Sequence, residues 1–91
     1  MEKVFYIDLM EVHSKEELQE ALVKELPLPE YYGRNLDAFY DMLSEYGSEW
    51  NIIFYNSGFA VYRLGRYFEA LKRLCLEACE EVQGLKIRFY N

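Results

Sequence analysis

Three short runs rich in β-branched and aromatic residues punctuate the chain: Lys3–Leu9 (KVFYIDL), Trp50–Tyr55 (WNIIFY) and Leu85–Tyr90 (LKIRFY). No two of them are joined by a short turn. Residues 10–49 and 56–84 lie between them, and both stretches carry apolar residues at the three- and four-residue spacing of a helix. Hairpins are therefore excluded at both junctions. Strands joined through helices pair in parallel, by right-handed crossovers. The pattern predicts a β-α-α-β-(α)-α-β order and an α/β fold: a three-stranded parallel β-sheet packed with three to four α-helices. At 91 residues the chain suits one domain over 1–91, near the small end of what folds unaided. No repeat, low-complexity tract or linker divides it.

Local signals set the boundaries. Ser14 with Glu17 three residues on is a capping-box pattern, and Leu18, Ala21, Leu22 and Leu26 form the apolar stripe of a first helix. Pro27 and Pro29 end it and make PLPEYYG an ordered extended loop. Gly33 offers a positive-φ turn, and Asn35 suits the N-cap of a second helix. The core stripe of that helix is Leu36, Phe39, Met42, Leu43 and Tyr46, and Gly47 and Ser48 break it. The consecutive apolar residues of WNIIFY predict a strand covered on both faces. Asn56-Ser57-Gly58 reads as a turn before a short helical segment over Phe59–Leu64. A longer helix follows from Arg66 to about Val82, its stripe Tyr67, Phe68, Leu71, Leu74, Cys75, Ala78 and Val82, with Gly84 as its C-terminal cap.

The second helix carries the feature that needs explaining. Asp37, Asp41 and Glu45 recur at i, i+4, and Glu49 continues the spacing. Like charges so placed destabilise a helix by about 0.2–0.5 kcal/mol per pair. Asp37 has Arg34 three residues before it as a prospective partner and gains from the helix N-terminus. Asp41 has neither, since its neighbours at three and four residues are Asp37, Ala38, Ser44 and Glu45. Tyr40 projects beside the acids. A solvated helix face normally mixes signs; unpaired acids beside an aromatic, behind a Tyr-Tyr-Gly loop, read as an anchored interface. Tyr31 and Tyr32 fit either that interface or plain loop packing.

Charge narrows the partner. The formal net charge is −6; residues 1–50 hold twelve Asp/Glu against four Lys/Arg, a net of −8, and residues 51–91 hold four against six, a net of +2. A nucleic-acid binder carries the opposite excess, whereas an acidic surface steers basic protein partners toward it. Catalysis has no visible machinery. The single His13 precedes a helix cap, and no phosphate loop, nucleophile elbow or metal motif is present. Asp37 and Asp41 as an acid/base pair would stand on a convex helix face without a cleft. Cys75 and Cys79, one helical turn apart, fit a disulfide poorly and read as reduced thiols, which points to a cytoplasmic protein. The N-terminus MEKVFYIDLM lacks the pattern of a secretory signal, and no metal or cofactor is expected.

The stretch LPLPEYYGRNLDAFYDMLSEY resembles the signature of the barstar family, intracellular protein inhibitors of secreted ribonucleases. The shared pattern is Leu-Pro-x-Tyr-Tyr-Gly-x-Asn-Leu-Asp-Ala, an aromatic, then Asp. The resemblance implies a barstar-like fold and a non-enzymatic inhibitor, monomeric when free. Its second helix and preceding loop would plug the active site of a basic ribonuclease, carboxylates taking the place of RNA phosphates. By the same resemblance Asp41 is the central anchor and Asp37 the supporting acid, and Tyr31 packs on a histidine of the enzyme. Gly33 and Asn35 shape the loop, and Tyr40 takes an aromatic position. Ser44, Glu45 and Tyr46 extend the contact surface, and Glu77 adds a peripheral acid. Two alternatives stay open on the same fold: a non-inhibitory interaction module, and an immunity protein against a toxin that is not a ribonuclease. Arg34 and Glu45 depart from the pattern. A basic residue facing a basic active site is repulsive unless it turns back on Asp37.

Overall fold

In the computed structural model, which describes residues 1–91, the chain runs β1 (Lys3–Asp8), α1 (Lys15–Glu25), α2 (Leu36–Tyr46), β2 (Trp50–Tyr55), α3 (Ser57–Leu64), α4 (Arg66–Glu81) and β3 (Lys86–Phe89). The sheet order is β1-β2-β3, with both pairs parallel. The expected α/β architecture is present, with four helices packed against three strands.

Local chemistry accounts for the element ends. At α1 the Ser14 Oγ accepts from the Glu17 N–H at 3.1 Å. The Glu17 carboxylate reaches back to the His13 N–H at 2.7 Å, one residue earlier than the ideal box. At α2 the Asn35 Oδ1 accepts from the Ala38 N–H at 2.8 Å. Gly84, two residues past the α4 C-cap, has φ +84°, and a Cβ there would lie 3.1 Å from the Glu49 nitrogen. No other residue turns as readily from α4 into β3.

The core is one cluster of 19 buried residues. Ile7, Ile52 and Phe54 supply it from the sheet; Leu18 and Leu22, Phe39 and Leu43, and Phe68 and Leu71 supply it from α1, α2 and α4, and all are fully buried. Phe89 stacks on Phe54 at 4.7 Å between ring centroids and meets Phe68 edge-on at 5.6 Å, tying β3 and α4 to the central strand.

Four expectations are corrected. β2 is covered on one face only. Trp50, Ile52 and Phe54 point into the core, while Asn51 and Ile53 are half-buried and Tyr55 is exposed on the other side. That open face continues through Val4 and Tyr6 on β1 and Lys86 and Arg88 on β3. Helices therefore layer one side of the sheet, and tyrosine hydroxyls and charged tips let the other side stand in water. Asn56-Ser57-Gly58 is not a free turn: Asn56, at φ 58°, leads directly into α3. The positive φ in the loop before α2 belongs to Arg34, at 53°, and not to Gly33. Gly33 is small for another reason, since a Cβ there would come within 3.3 Å of the Ala38 Cβ. Tyr46, assigned to the core stripe, is exposed at the end of α2.

Candidate functional site

The loop Pro27–Asn35 and the helix α2 form one side of the candidate surface, and the C-terminal half of α4 forms the other. α2 packs directly on α4. Phe39, Met42 and Leu43 are buried on its inner face, so Asp37, Asp41 and Glu45 are carried outward. Leu36, Asp37, Tyr40 and Asp41 of α2 line one groove of about 390 Å³ together with Leu74 and Glu77 of α4. The two acids of one helix and the acid of the other thus share an opening.

None of Asp37, Asp41, Glu45, Glu77, Glu80 or Glu81 has a cation within ion-pairing distance. Some acids elsewhere do, Glu2 with Lys86 at 3.6 Å, Glu69 with Lys72 at 3.7 Å and Glu49 with the terminal amine at 2.7 Å, while Asp8, Glu11, Glu16, Glu25 and Glu30 stand unpaired but are not gathered on α2 and α4. That last pair corrects the length of the ridge. α2 ends at Tyr46, and Glu49 lies beyond it at φ 68°, its pKa lowered by the hydrogen bond and charge of the terminal amine. The outward ridge on α2 is Asp37, Asp41 and Glu45.

The two loop tyrosines separate cleanly. Tyr31 is 72% exposed and Tyr32 only 6%. The Tyr32 hydroxyl donates to Gln19 Oε1 at 2.5 Å, and Gln19 Nε2 donates to the Tyr67 hydroxyl at 2.8 Å. Gln19 is itself buried. This polar chain joins the loop to α1 and α4. Burial first, then the neighbouring Tyr67, pushes the Tyr32 phenol far above its usual range, so it stays a neutral donor. Sequence reasoning placed no weight on Gln19; a polar residue beside the apolar stripe of α1 was the only signal available.

Tyr31 and Tyr46 stand with their hydroxyls 3.5 Å apart, linking the loop to the far end of α2. The bond to Tyr31, then Glu45 beside it, raises the Tyr46 phenol to about 12. Tyr40 is half-buried, and its hydroxyl donates to the Glu81 carboxylate across the α2–α4 seam. That bond is the main cause of its raised pKa. Asn35 caps α2 and also donates from Nδ2 to the Gly33 carbonyl at 3.2 Å. Ser44 is exposed on α2. Arg34 does not turn back on Asp37 as expected. Its guanidinium pairs with Glu20 of α1, which leaves Asp37 free.

What the surface offers is recognition of positive charge. No group of three His, Cys, Asp or Glu side chains is placed to hold a metal ion. Cys75 and Cys79 are unpaired thiols, both shifted upward mainly by burial. They are weak nucleophiles in that setting. A family model described as Barstar (barnase inhibitor) matches residues 2–91, nearly the whole chain. The family so described consists of non-catalytic ribonuclease inhibitors.

Proposed function

We propose, because the chain belongs to the barstar family, that it inhibits a basic secreted ribonuclease of the guanyl-specific type by plugging its active site with α2 and the preceding loop. The observation that carries this reading is the groove where Asp37, Asp41 and Glu77 converge without a cation of their own. Clustered carboxylates repel one another in the free chain, and a cationic pocket relieves that repulsion on binding. They present oxygens where an RNA would present phosphates. Asp41, midway along α2, is the central anchor, and Asp37 and Glu77 flank it. Tyr31, exposed at the loop tip, supplies the aromatic contact, with Tyr46 supporting it and Ser44 and Glu45 widening the footprint. Gly33, Asn35 and Tyr40 set the geometry of loop and helix. The free thiols of Cys75 and Cys79 support a reducing, cytoplasmic site of action.

The test is inhibition of a panel of secreted guanyl-specific ribonucleases by wild type and Asp41→Ala, at low and moderate salt. Inhibition that requires Asp41 and weakens with salt supports the plug. A folded wild type that inhibits none of them sinks it, and points to the non-inhibitory interaction module or to a toxin of another class.

A further inference from the structure

We propose that Glu20 on α1 is a specificity-determining residue of this surface: it captures and neutralises the Arg34 guanidinium, so that the loop meets a cationic partner without a free positive charge. The inference rests on the plug reading and adds to it a residue outside both the loop and α2.

Arg34 is the only Lys or Arg between Lys24 and Arg63, a stretch that holds Glu25, Glu30, Asp37, Asp41, Glu45 and Glu49. It stands inside the recognition loop, between Gly33 and Asn35. Left free there, it would repel the same basic pocket that the acids attract. Two acids lie near it in sequence, Glu30 and Asp37, yet its guanidinium pairs with neither and goes to Glu20 on α1. Arg34 has φ 53°, a region that non-glycine residues seldom adopt.

The neighbouring residue of α1 makes the arrangement rigid. Gln19 is buried and holds Tyr32 by a 2.5 Å hydrogen bond. Consecutive residues of α1 thus grip alternate residues of the loop, Gln19 on Tyr32 and Glu20 on Arg34. The main chain is fixed two residues before Arg34 and again at the Asn35 cap. Both side chains of the ion pair are more than half exposed, so the pair adds little to folding stability. Its effect falls on binding: Glu20 cancels one positive charge on the partner-facing side and keeps Asp37 unengaged.

The experiment measures association and dissociation rates with a guanyl-specific secreted ribonuclease at low and moderate salt. The chains are wild type, Glu20→Ala, Glu20→Asp, Arg34→Ala, the double variant Glu20→Ala/Arg34→Ala, and Asp41→Ala. Glu20→Ala should slow association on the order of tenfold at low salt, with the deficit shrinking as salt rises. Arg34→Ala should bind at least as fast as wild type, the double variant should match Arg34→Ala, and Glu20→Asp should keep most of the wild-type rate. In the free protein, exchange of the Arg34 Nη–H protons with water should be faster in Glu20→Ala than in wild type. Equal exchange rates in the two, or equal association rates, overturn the proposal. So does an Arg34→Ala variant as weak as Glu20→Ala with no rescue in the double, because Arg34 would then contact an acid of the partner. The plug reading fails separately, and takes this proposal with it, when wild type binds no better than Asp41→Ala. A wild type that needs Asp41 and ignores Glu20 overturns the proposal alone.

Discussion

Tyr31 and Tyr32 are chemically identical neighbours, and the fold sends one to solvent and one to the core. Sequence left both roles open for each because the deciding contact is Gln19, thirteen residues away on α1. The position of Asp41 was legible, since it depends only on the 3.6-residue period of one helix. The destination of Arg34 was not, because Glu20 is brought beside it by packing. The buried polar chain yields a residue-scale prediction. Tyr32→Phe keeps the ring but leaves Gln19 Oε1 without its donor, and should cost about 1–3 kcal/mol in urea unfolding. Tyr31→Phe, at an exposed hydroxyl, should leave the unfolding midpoint unchanged. Equal losses would contradict the division between a packing and a contact tyrosine. Phenols and the thiols of Cys75 and Cys79, whose pKa values burial also raises from 9.0, together set the alkaline limit. Tyr32, Tyr40 and Tyr46 all have pKa values raised above the usual 10.0, that of Tyr46 to about 12. A raised pKa favours the neutral phenol in the folded chain. Its stabilisation is therefore complete below pH 10 and lost as pH climbs through the folded-state values. Denaturant midpoints should hold steady up to the unfolded-state thiol pKa of 9.0, begin to fall there and fall more steeply above the tyrosine value of 10.0. Tyr32→Phe should flatten that fall.

At the scale of elements, the starts of α1 and α2 were readable, while the start of α3 and the surfaces were not. Ser14 and Asn35 cap α1 and α2 as their types suggest, because a cap is decided within four residues. The ridge was read one acid too long because Glu49 keeps the spacing after Gly47 has ended the helix. The open face of β2 was hidden by Ile53. Trp50, Ile52 and Phe54 alternate with Asn51, Ile53 and Tyr55, and one isoleucine on the outer face makes the run look apolar throughout. Loop and helix also meet closely where Gly33 faces Ala38. Gly33→Ala would place a Cβ 3.3 Å from the Ala38 Cβ, so the loop must give by a few tenths of an ångström. The backbone there is not in the left-handed region, so folding should be little affected. The shift would instead move Tyr31 relative to Asp37. Ribonuclease inhibition should therefore weaken about tenfold, about 1.4 kcal/mol, while the unfolding midpoint moves little. A variant that unfolds readily but inhibits normally would reverse that assignment.

For the molecule as a whole, one electrostatic field acts on two equilibria with opposite signs. The chain carries −6, and the half with the loop and α2 carries −8. Asp37, Asp41 and Glu45 on α2, and Glu77, Glu80 and Glu81 on α4, stand without cations on two packed helices. In the free chain this is self-repulsion, which salt screens. In the proposed complex it is attraction to a basic pocket, which salt also screens. Raising salt from about 0.01 M to about 1 M shortens the Debye length from about 30 Å to about 3 Å. It should raise the Tm of the free protein and weaken inhibition over the same interval. The triple variant Asp37→Asn/Asp41→Asn/Glu45→Gln should shrink both effects together: a higher Tm than wild type at low salt, a flatter salt dependence, and little inhibition at any salt. Losing even the buried charge partner at Asp41 alone should cost about 2–5 kcal/mol of binding, as at close charge pairs in protein complexes generally. A free chain whose Tm ignores salt, paired with strong salt-sensitive inhibition, would separate the two. The acids would then carry no folding cost, and the ridge would serve binding without straining the helix that bears it.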